Sequence, residues 1–339
     1  MAQTRTVAVS GASGFVGRHV VRALLDAGYG VRALVRDMGK AKRTLPVGAE
    51  SLTLVSGEVL DPAALTELCR GCVGVVNCVG VIRESRGGLT FRQAHVLAVK
   101  GLLEAARAAG AERFVQVSAL GVNPTSQIPY QMTKFEGEQL VRRSGLAWTI
   151  LRPGMILGEG SEFIAMAKQW TGGEAAPFIF APYFTGQVED TSVPLGPVHR
   201  VEPMLQPVAV EDVARAAVIA LGSERATGEV FNLVGPKRVS WPELLRWIRD
   251  TYTPGSSVEP FGLPGEVAAV AADVATLFGM KHVLPFDAGM ARMGSQSSVG
   301  ETVKVSLELG LTPREAMAGS HCGIPVVGIP PHGATLAHD

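Results

Sequence analysis

The chain has 339 residues, of which 47% are apolar and 18% are charged, so it is long enough to bury a large core and too apolar to be disordered. Lys plus Arg and Asp plus Glu both number 31, which leaves no basic excess to call for nucleic acid or an anionic membrane as partner. No apolar stretch reaches membrane-spanning length without interruption, and the N-terminus enters a strand without a signal segment. We therefore expect a cytoplasmic protein with no transmembrane segment.

The first half of the chain alternates between strand and helix patterns. "TVAVS" predicts a strand, and apolar residues at 16, 20, 24 and 27 predict a helix that begins at Phe15. Asp61 and Pro62 mark the start of another helix, and longer helices are predicted over about residues 90–109 and 130–143. The further predicted strands are "VRALV", "LTLVSG", "GVVNCVG", "RFVQVS" and "AWTILR". This order predicts an α/β fold, a Rossmann-type doubly wound parallel sheet with helices on both faces, which binds ligands at the carboxyl ends of its strands.

The second half is less regular. Residues 154–203 are rich in Gly and Pro, and 181–203 are predicted to form a long loop. Residues 205–235 predict a strand, a helix with Glu211 and Asp212 in its first turn, and a second strand, all returning to the core sheet. Ser240 and Glu243 have the spacing of a capping box. The predicted domains are residues 1–153 and a smaller irregular region 154–319, followed by a flexible tail over 320–339.

The segment "GASGFVG" places glycines at positions 11, 14 and 17, after a strand and at the start of a helix. Gly11 permits a tight turn, Gly14 lets a pyrophosphate approach the helix N-terminus, and Gly17 lets the helix pack closely on the sheet. A plain glycine-rich turn is the alternative. Because of its context, the segment predicts a site for a dinucleotide, and residues 1–153 are the predicted NAD(P)-binding domain.

The end of the second strand bears on which dinucleotide binds. It reads "ALVRD", with Arg36 where proteins that prefer NAD commonly place an acidic residue. An arginine pairs with a 2′-phosphate, and Arg18 could assist it. We therefore expect NADP(H) to be preferred, with NAD(H) possible. Two alternatives stay open: Arg36 could be a solvated charge, and Asp37 could rotate to bind the ribose.

The segment "YQMTK" places Tyr130 and Lys134 four residues apart, on one face of a helix at the ligand edge of the sheet. An ammonium group beside a phenol is expected to lower the pKa of the phenol and to favour acid–base work. The pattern Y-x-x-x-K is common by chance, so its value here depends on its position.

These segments together resemble a short-chain dehydrogenase/reductase of the extended or atypical kind. The resemblance rests on "GASGFVG", Arg36, "NCVG", "YQMTK" and "LRPGMILG" and covers roughly residues 5–250. Two longer segments, "FRQAHVLAVKGLLEAARAAGAERFVQVSALGVN" and "TKFEGEQLVRRSGLAWTILRPG", are similar to the dehydrogenase-like accessory subunit of respiratory complex I and its bacterial relatives. The chain is therefore expected to be epimerase/dehydratase-like in fold.

The resemblance also implies roles for individual residues. Tyr130 and Lys134 would be the catalytic pair, with Ser118 binding a substrate carbonyl. Residues that would contact the cofactor are Gly11, Ser13, Gly14, Phe15, Val16, Arg36, Glu58, Val59, Gly80, Lys134, Pro153 and Ile156. Glu58 departs from the family, which usually has Asp at this position.

Two residues near the predicted site have open roles. Ser118 precedes Tyr130 by only 12 residues, and a structural role at the end of its strand is as well supported as a catalytic one. His95 stands where many family members have Asn, and its apolar neighbours favour an interior histidine. Cys69 and Cys72 form a C-x-x-C without a second pair, so we predict no metal site.

Two functions follow from these patterns. The first is an NADP(H)-dependent oxidoreductase that acts on a carbonyl/alcohol pair or on a sugar-like epimerase or dehydratase substrate. The second is a non-enzymatic dinucleotide-binding accessory, assembly or redox-sensing subunit with a protein partner. Intact Tyr130 and Lys134 favour the first function, whereas the sparse hydroxyl residues around Ser118 favour the second.

Overall fold

The computed structural model describes residues 5–84, 87–189, 198–278, 284 and 286–318. Its strands, in chain order, are β1 Thr6–Ser10, β2 Gly30–Val35, β3 Leu52–Ser56, β4 Gly74–Asn77, β5 Arg113–Val117, β6 Ala147–Pro153, β7 Ile156–Leu157, β8 Phe180–Glu189, β9 Val198–Val201, β10 Met204–Leu205, β11 Val208–Ala209, β12 Glu229–Leu233, β13 Val239–Ser240 and β14 Glu259–Pro264. The predicted flexible tail, residues 320–339, lies outside the described residues.

The α-helices are α1 Phe15–Asp26, α2 Met38–Thr44, α3 Pro62–Cys69, α4 Ala98–Ala108, α5 Pro129–Arg142, α6 Glu162–Thr171, α7 Val210–Gly222, α8 Trp241–Tyr252, α9 Gly265–Leu277, α10 Ala288–Gly294 and α11 Val303–Leu309. A π-helical turn, Gln93–Leu97, leads directly into α4. Among the described residues, no helix is both long and apolar enough to cross a membrane.

The main sheet has seven strands in the order β3-β2-β1-β4-β5-β6-β12, and every neighbouring pair is parallel. The first six strands have the order of a doubly wound dinucleotide-binding sheet, and β12 extends it by one strand. The predicted fold class is therefore confirmed. Because the strands are parallel and Ser10 aligns with Asn77 and Asn77 with Gln116, their carboxyl ends lie at one edge of the sheet.

Helices cover both faces of this sheet. Neighbouring strand residues face opposite sides, so Val7 packs into the core under α1 and α7, and Ala8 into the core under α3, α4 and α5. This explains the continuous apolar runs of the strands. Cys69 and Cys72 belong to the second core, where burial raises the pKa of their thiols to about 12 and about 11, respectively.

The predicted helix starts are confirmed by their caps. The Asp61 carboxylate accepts a hydrogen bond from the Ala63 N–H at 2.9 Å, with Pro62 in the first helical position. Ser240 and Glu243 form a complete capping box at the start of α8. These signals are local in sequence, which is why they predict the helix ends well.

The prediction of a loop over residues 181–203 is wrong for the described parts 181–189 and 198–201, which are strands, and residues 190–197 lie outside the described residues. Strand β8 begins at Phe180 and pairs in parallel with β14 and antiparallel with β9, so it is the central strand of a second, three-stranded sheet. Tyr183 and Phe184 are buried there. Aromatic and β-branched residues favour strands, and in this segment they outweigh the neighbouring Gly and Pro.

The chain after β6 contributes to both sheets. Helix α7 and strand β12, within the predicted returning segment 205–235, pack against the main sheet. The second sheet packs with α6, α8 and α9, and α9 buries only small residues, including Ala268 and Ala272. The division into domains at residue 153 stays a prediction.

Candidate functional site

The glycine loop between β1 and α1 is closely packed against its own backbone. Gly11 has a φ of +70°, and a Cβ there would lie 2.9 Å from the carbonyl carbon of Cys78. A Cβ on Gly17 would lie 2.1 Å from the Gly11 carbonyl oxygen. Positive φ at Gly11 and lack of space at both positions require glycine, and this close packing brings the N-terminus of α1 directly over the end of β1.

The first turn of α1 is suited to an anion. Its N-cap residue is Gly14, which has no side chain to accept the first-turn N–H groups, and this turn contains no acidic residue. The helix dipole adds a partial positive charge at this end. These features fit the pyrophosphate of a dinucleotide, with Ser13, Phe15 and Val16 in or beside the turn, as predicted.

The end of β2 presents Arg36 to solvent at the same edge of the sheet. The neighbouring Asp37 is the N-cap of α2, and its carboxylate accepts a hydrogen bond from the Lys40 N–H at 2.9 Å. That hydrogen bond lowers the pKa of Asp37 and holds the carboxylate on α2 rather than turned towards a ribose. Arg18, predicted to assist Arg36, instead donates to the Glu159 carbonyl oxygen on the other side of the loop.

The loop after β3 carries two predicted cofactor contacts, Glu58 and Val59, which differ in their exposure to solvent. Glu58 is exposed, whereas Val59 is partly buried and packs against the core beside α3. Because Val35 aligns with Ser56, this segment lies beside the end of β2. The structure therefore brings Glu58 and Val59 to the predicted edge.

A buried chain of polar groups runs along the strand ends. The Ser10 hydroxyl donates to Asn77 Oδ1 at 2.6 Å, and Asn77 Nδ2 donates to Gln116 Oε1 at 2.9 Å. The Gln116 amide donates to the Val117 carbonyl oxygen, and so does Lys134 Nζ, at 3.0 and 3.2 Å respectively. The network links the glycine loop to α5 through five fully or nearly buried groups, which rigidifies this edge.

Tyr130 and Lys134 lie in the first two turns of α5, as predicted. Burial raises the pKa of Tyr130 to about 12 and lowers the pKa of Lys134 to about 8, with Glu138 opposing the second shift. The expectation that Lys134 lowers the pKa of the phenol is therefore wrong, because loss of solvent dominates. A Cβ on Gly80 would lie 3.0 Å from Lys134 Nζ, so Gly80 lies directly beside the ammonium group.

His95 lies in the π-helical turn and is 2% exposed, so it is an interior histidine as predicted. Its Nε2 accepts a hydrogen bond from the Val81 N–H at 3.2 Å, which leaves the ring proton on Nδ1, 3.0 Å from Thr133 Oγ1. Burial, with Lys134 nearby, lowers the pKa of His95 to about 3 and keeps the ring neutral. The His95 and Tyr130 rings pack edge to face, with 5.3 Å between their centroids. Through these contacts His95 connects the loop after β4 to α5.

Ser118 is 4% exposed and donates its hydroxyl proton to Glu138 Oε1 at 2.6 Å. The same carboxylate is held by Arg152, whose Nε and Nη2 donate to its two oxygens at 2.8 and 2.6 Å. A hydroxyl has one proton, so Ser118 cannot donate to Glu138 and to a substrate carbonyl at once. This geometry favours the structural alternative for Ser118.

The end of β6 and the segment after it carry the last two predicted cofactor contacts, Pro153 and Ile156. Pro153 is the last residue of β6, and its carbonyl oxygen accepts from the Leu120 N–H at 2.8 Å. Ile156 begins β7 and pairs with Val208 of β11. Pro153 therefore lies beside the loop that follows β5 and carries Ser118.

Comparison with known proteins identifies the first half of the chain. A protein-family profile described as NAD(P)H-binding matches residues 11–174, from the glycine loop to just beyond α6. Residues 11–174 form an NAD(P)H-binding domain. The predicted resemblance is confirmed as far as an NAD(P)H-binding domain, and this domain contains most of the predicted site residues.

Two curated proteins illustrate the sequence similarity of this chain to known proteins. A ceramide reductase of Caulobacter vibrioides is 37% identical over 45% of this chain and 47% of its own length. Subunit 9 of the NADH dehydrogenase [ubiquinone] 1 alpha subcomplex of Mus musculus, a mitochondrial protein, is 27% identical over 71% of this chain and 59% of its own. The chain therefore spans about half the length of the curated relatives that it matches.

The structure of an NADPH-dependent quinone oxidoreductase from Escherichia coli, in complex with NADPH, superposes with a TM-score of 0.64. It is 20% identical, and the match covers 92% of this chain and 97% of the other. At this identity the likeness concerns the fold, and it extends beyond the NAD(P)H-binding domain to the second sheet.

Several residues of the NAD(P)H-binding domain were not predicted from sequence. They are Asn77, Gln116, Thr133, Glu138 and Arg152, whose hydrogen bonds organise the edge that bears the predicted site. A signal was present for the first two, since each is the one side-chain amide in its central strand, among mostly apolar residues. Such a residue is expected to have a buried hydrogen-bond partner.

Proposed function

We propose that the protein is an NADPH-dependent reductase of carbonyl compounds. The observation that carries this proposal is the position of Tyr130, a partly buried phenol that stays protonated at the edge where the dinucleotide site and Lys134 meet. A protonated phenol is a proton donor, which is the role that reduction of a carbonyl to an alcohol needs. Two of the similar proteins are named as a reductase and an oxidoreductase, which supports the reaction class.

The side chains of this site would act in the following way. A reduced nicotinamide, when bound, would supply the hydride, and Tyr130 would donate the proton to the substrate oxygen. The Lys134 ammonium, held by the Val117 carbonyl oxygen and lying beside Gly80, would bind the ribose of the dinucleotide and so position the cofactor. His95 packs against the phenol ring in an edge-to-face contact, which would help to position the ring. Ser118 supports Glu138 and is not a proton donor to substrate.

The proposed preference for NADPH rests on the end of β2. Arg36 is exposed, and a guanidinium is a group that pairs well with a phosphate, whereas Asp37 is engaged in capping α2. The alternative in which Asp37 binds the ribose hydroxyls would require breaking that cap, which costs about 1 kcal/mol.

We expect Arg36→Ala to raise the Kd for NADPH by about 10–100-fold, because a charge-assisted contact to the 2′-phosphate is lost. The Kd for NADH, which lacks that phosphate, should stay unchanged. Fluorescence titration with both cofactors measures this, and Arg107→Ala, an exposed arginine on α4, is the matched control. Equal weakening of both cofactors, or a wild-type preference for NADH, would contradict the role of Arg36.

For Ser118→Ala we expect a loss of about 1–2 kcal/mol in the free energy of unfolding and a change in kcat of less than about tenfold. The reason is that its hydroxyl satisfies Glu138 inside the protein. Denaturant unfolding and steady-state kinetics on the same sample separate the two effects. A collapse of kcat with full stability would restore Ser118 to a catalytic role.

A second candidate is a non-enzymatic dinucleotide-binding subunit of a larger assembly. It is favoured by the similarity to a complex I subunit, which covers more of this chain than the ceramide reductase does. The test is turnover: consumption of NADPH with a panel of ketones, aldehydes and quinones, compared between wild type and Tyr130→Phe. Tight NADPH binding with no turnover on the whole panel would favour the second candidate.

A further inference from the structure

A cavity of about 300 Å³ lies between the β8–β9 pair and residues 295–297. Its polar lining consists of Thr185, Gln187, Glu266, Ser295, Gln296 and Ser297. Val188 and Val201 add apolar surface on the side of the strands. The volume is at the lower end of the range for small-molecule sites, so the cavity suits a compact ring or a segment of a longer molecule.

The cavity is connected to the catalytic helix by one hydrogen bond. Gln131, the residue after Tyr130 in α5, is 5% exposed, and its Nε2 donates to Gln296 Oε1 at 3.1 Å. Gln131 Oε1 in turn accepts from the Ser126 hydroxyl, in the loop between β5 and α5. Gln296 therefore belongs both to the wall of the cavity and to the support of the first turn of α5.

The charge around the cavity is negative. None of its described lining residues is Lys or Arg, and Glu266 is the charged residue among them. Arg292 lies 3.6 Å from Glu266, but its guanidinium also pairs with Asp273 at 3.2 Å, so two carboxylates share one cation. Arg200 is exposed and stands opposite Gln187 across the β8–β9 pair, outside the lining.

The polar groups of the lining are suited to neutral partners. Ser297 Oγ accepts from the Met204 N–H at 3.1 Å, which leaves its own proton to donate. Gln296 accepts at Oε1, which leaves its amide N–H groups as donors. Hydroxyl and amide donors of this kind pair with carbonyl or hydroxyl oxygens, whereas phosphates and carboxylates in such sites are commonly bound by Arg or Lys.

We infer that this cavity is the substrate pocket and that it takes uncharged carbonyl compounds bearing hydroxyl or amide groups, to the exclusion of phosphorylated and carboxylated ones. The inference rests on the proposed reductase function, which it deepens by naming the substrate class. An anion would lose its hydration beside Glu266 without gaining a cation, and that loss is the physical basis of the exclusion.

Binding can be measured independently of turnover, because a tryptophan contacts the residue that precedes the lining residue Ser295. Trp241 Nε1 donates to the Gly294 carbonyl oxygen at 2.8 Å, directly before Ser295. The probes are 4-oxocyclohexanecarboxamide and 4-oxocyclohexanecarboxylate, which have nearly the same shape and differ by one negative charge. Titration of the full chain should show Trp241 fluorescence responding to the carboxamide with at least about tenfold higher affinity than to the carboxylate.

Variants assign this preference to the cavity. Glu266→Gln should reduce the ratio between the affinities for the carboxamide and the carboxylate. Glu104→Gln, which removes an exposed carboxylate on α4, should leave this ratio unchanged. Trp241→Phe should abolish the response. Tighter binding of the carboxylate that disappears in Arg200→Gln would overturn the inference, as would a response to neither probe.

Turnover separates this inference from the proposed function. Carboxamide binding at the cavity without NADPH consumption would leave the pocket in place and contradict the reductase proposal. Equal NADPH consumption with both probes would support the reductase and contradict the exclusion of anions.

Discussion

Tyr130→Phe is expected to lower kcat for carbonyl reduction by about 10²–10⁴-fold, while the Kd for NADPH stays within about twofold of wild type. The variant removes the proton that the phenol donates and keeps the ring, so the edge-on contacts with His95 and Phe91 remain. Steady-state kinetics and a fluorescence titration on the same preparation measure both quantities.

The same site predicts a pH dependence. Burial raises the pKa of Tyr130 to about 12, so the phenol stays protonated throughout the working range. Burial lowers the pKa of Lys134 to about 8, so its ammonium is lost as the pH rises through that value, and we expect kcat to fall above about pH 8. Because the folded pKa lies below the ordinary value of 10.5, the folded state binds fewer protons than the unfolded state between these values, and the Lys134 contribution to stability increases with pH there.

Tyr252→Phe is the matched control for Tyr130→Phe, because Tyr252 lies on α8 against Trp247, among the residues that pack on the second sheet. It should leave both kcat and the pH profile unchanged. A Tyr130→Phe variant that retained near wild-type kcat would remove the phenol from the mechanism and would favour the accessory-subunit candidate.

Gly17→Ala is expected to reduce the free energy of unfolding by about 3 kcal/mol or more and to abolish dinucleotide binding. The added Cβ would lie 2.1 Å from the Gly11 carbonyl oxygen, far inside van der Waals contact, and the obstructing atom is backbone, which cannot rotate away. To relieve the overlap, α1 would have to move off β1, and the first-turn N–H groups would move with it. Denaturant unfolding and NADPH titration measure the two effects.

Gly48→Ala is the control for this variant, since a Cβ there meets nothing within 4 Å, and it should change stability by no more than about 0.5 kcal/mol. Gly14→Ala is the milder variant, because its Cβ would lie 3.1 Å from the Gly11 carbonyl oxygen. Its loss of unfolding free energy should lie between those of the other two variants. Equal unfolding midpoints for all three variants would show that the loop tolerates side chains and would contradict the close packing.

The fold was predictable because its signals are short-range. Strands buried on both faces read as continuous apolar runs, and Asp61, Ser240 and Glu243 mark helix starts through contacts within three residues. The loop predicted over 181–203 shows the limit of this approach. Pairing of β8 with β14, almost 80 residues later in the chain, turned a segment rich in Gly and Pro into a central strand, and no local pattern reports such a partner.

The candidate site divides in the same way. The positions of the glycine loop, Arg36, Tyr130 and Lys134 at one edge of the sheet could be predicted from sequence, because they depend on spacing within one strand–helix unit, and their roles stay predictions. The pKa of Tyr130 could not, because it depends on how much solvent the surrounding elements remove, and the expected direction was wrong.

Local sequence is sufficient to specify a parallel α/β sheet with a dinucleotide-binding loop. The reason is that hydrophobic periodicity, helix-capping residues and the spacing of glycines act over a few residues. The use of the Ser118 proton depends instead on Glu138 and Arg152, which are 20 and 34 positions further along the chain. Likewise, the cavity wall brings Gln131 against Gln296 across 165 positions. Hydrogen bonds and charges at such separations exist only after the sheet has brought its strand ends together, so the chemistry of this edge arises from packing rather than from any single segment.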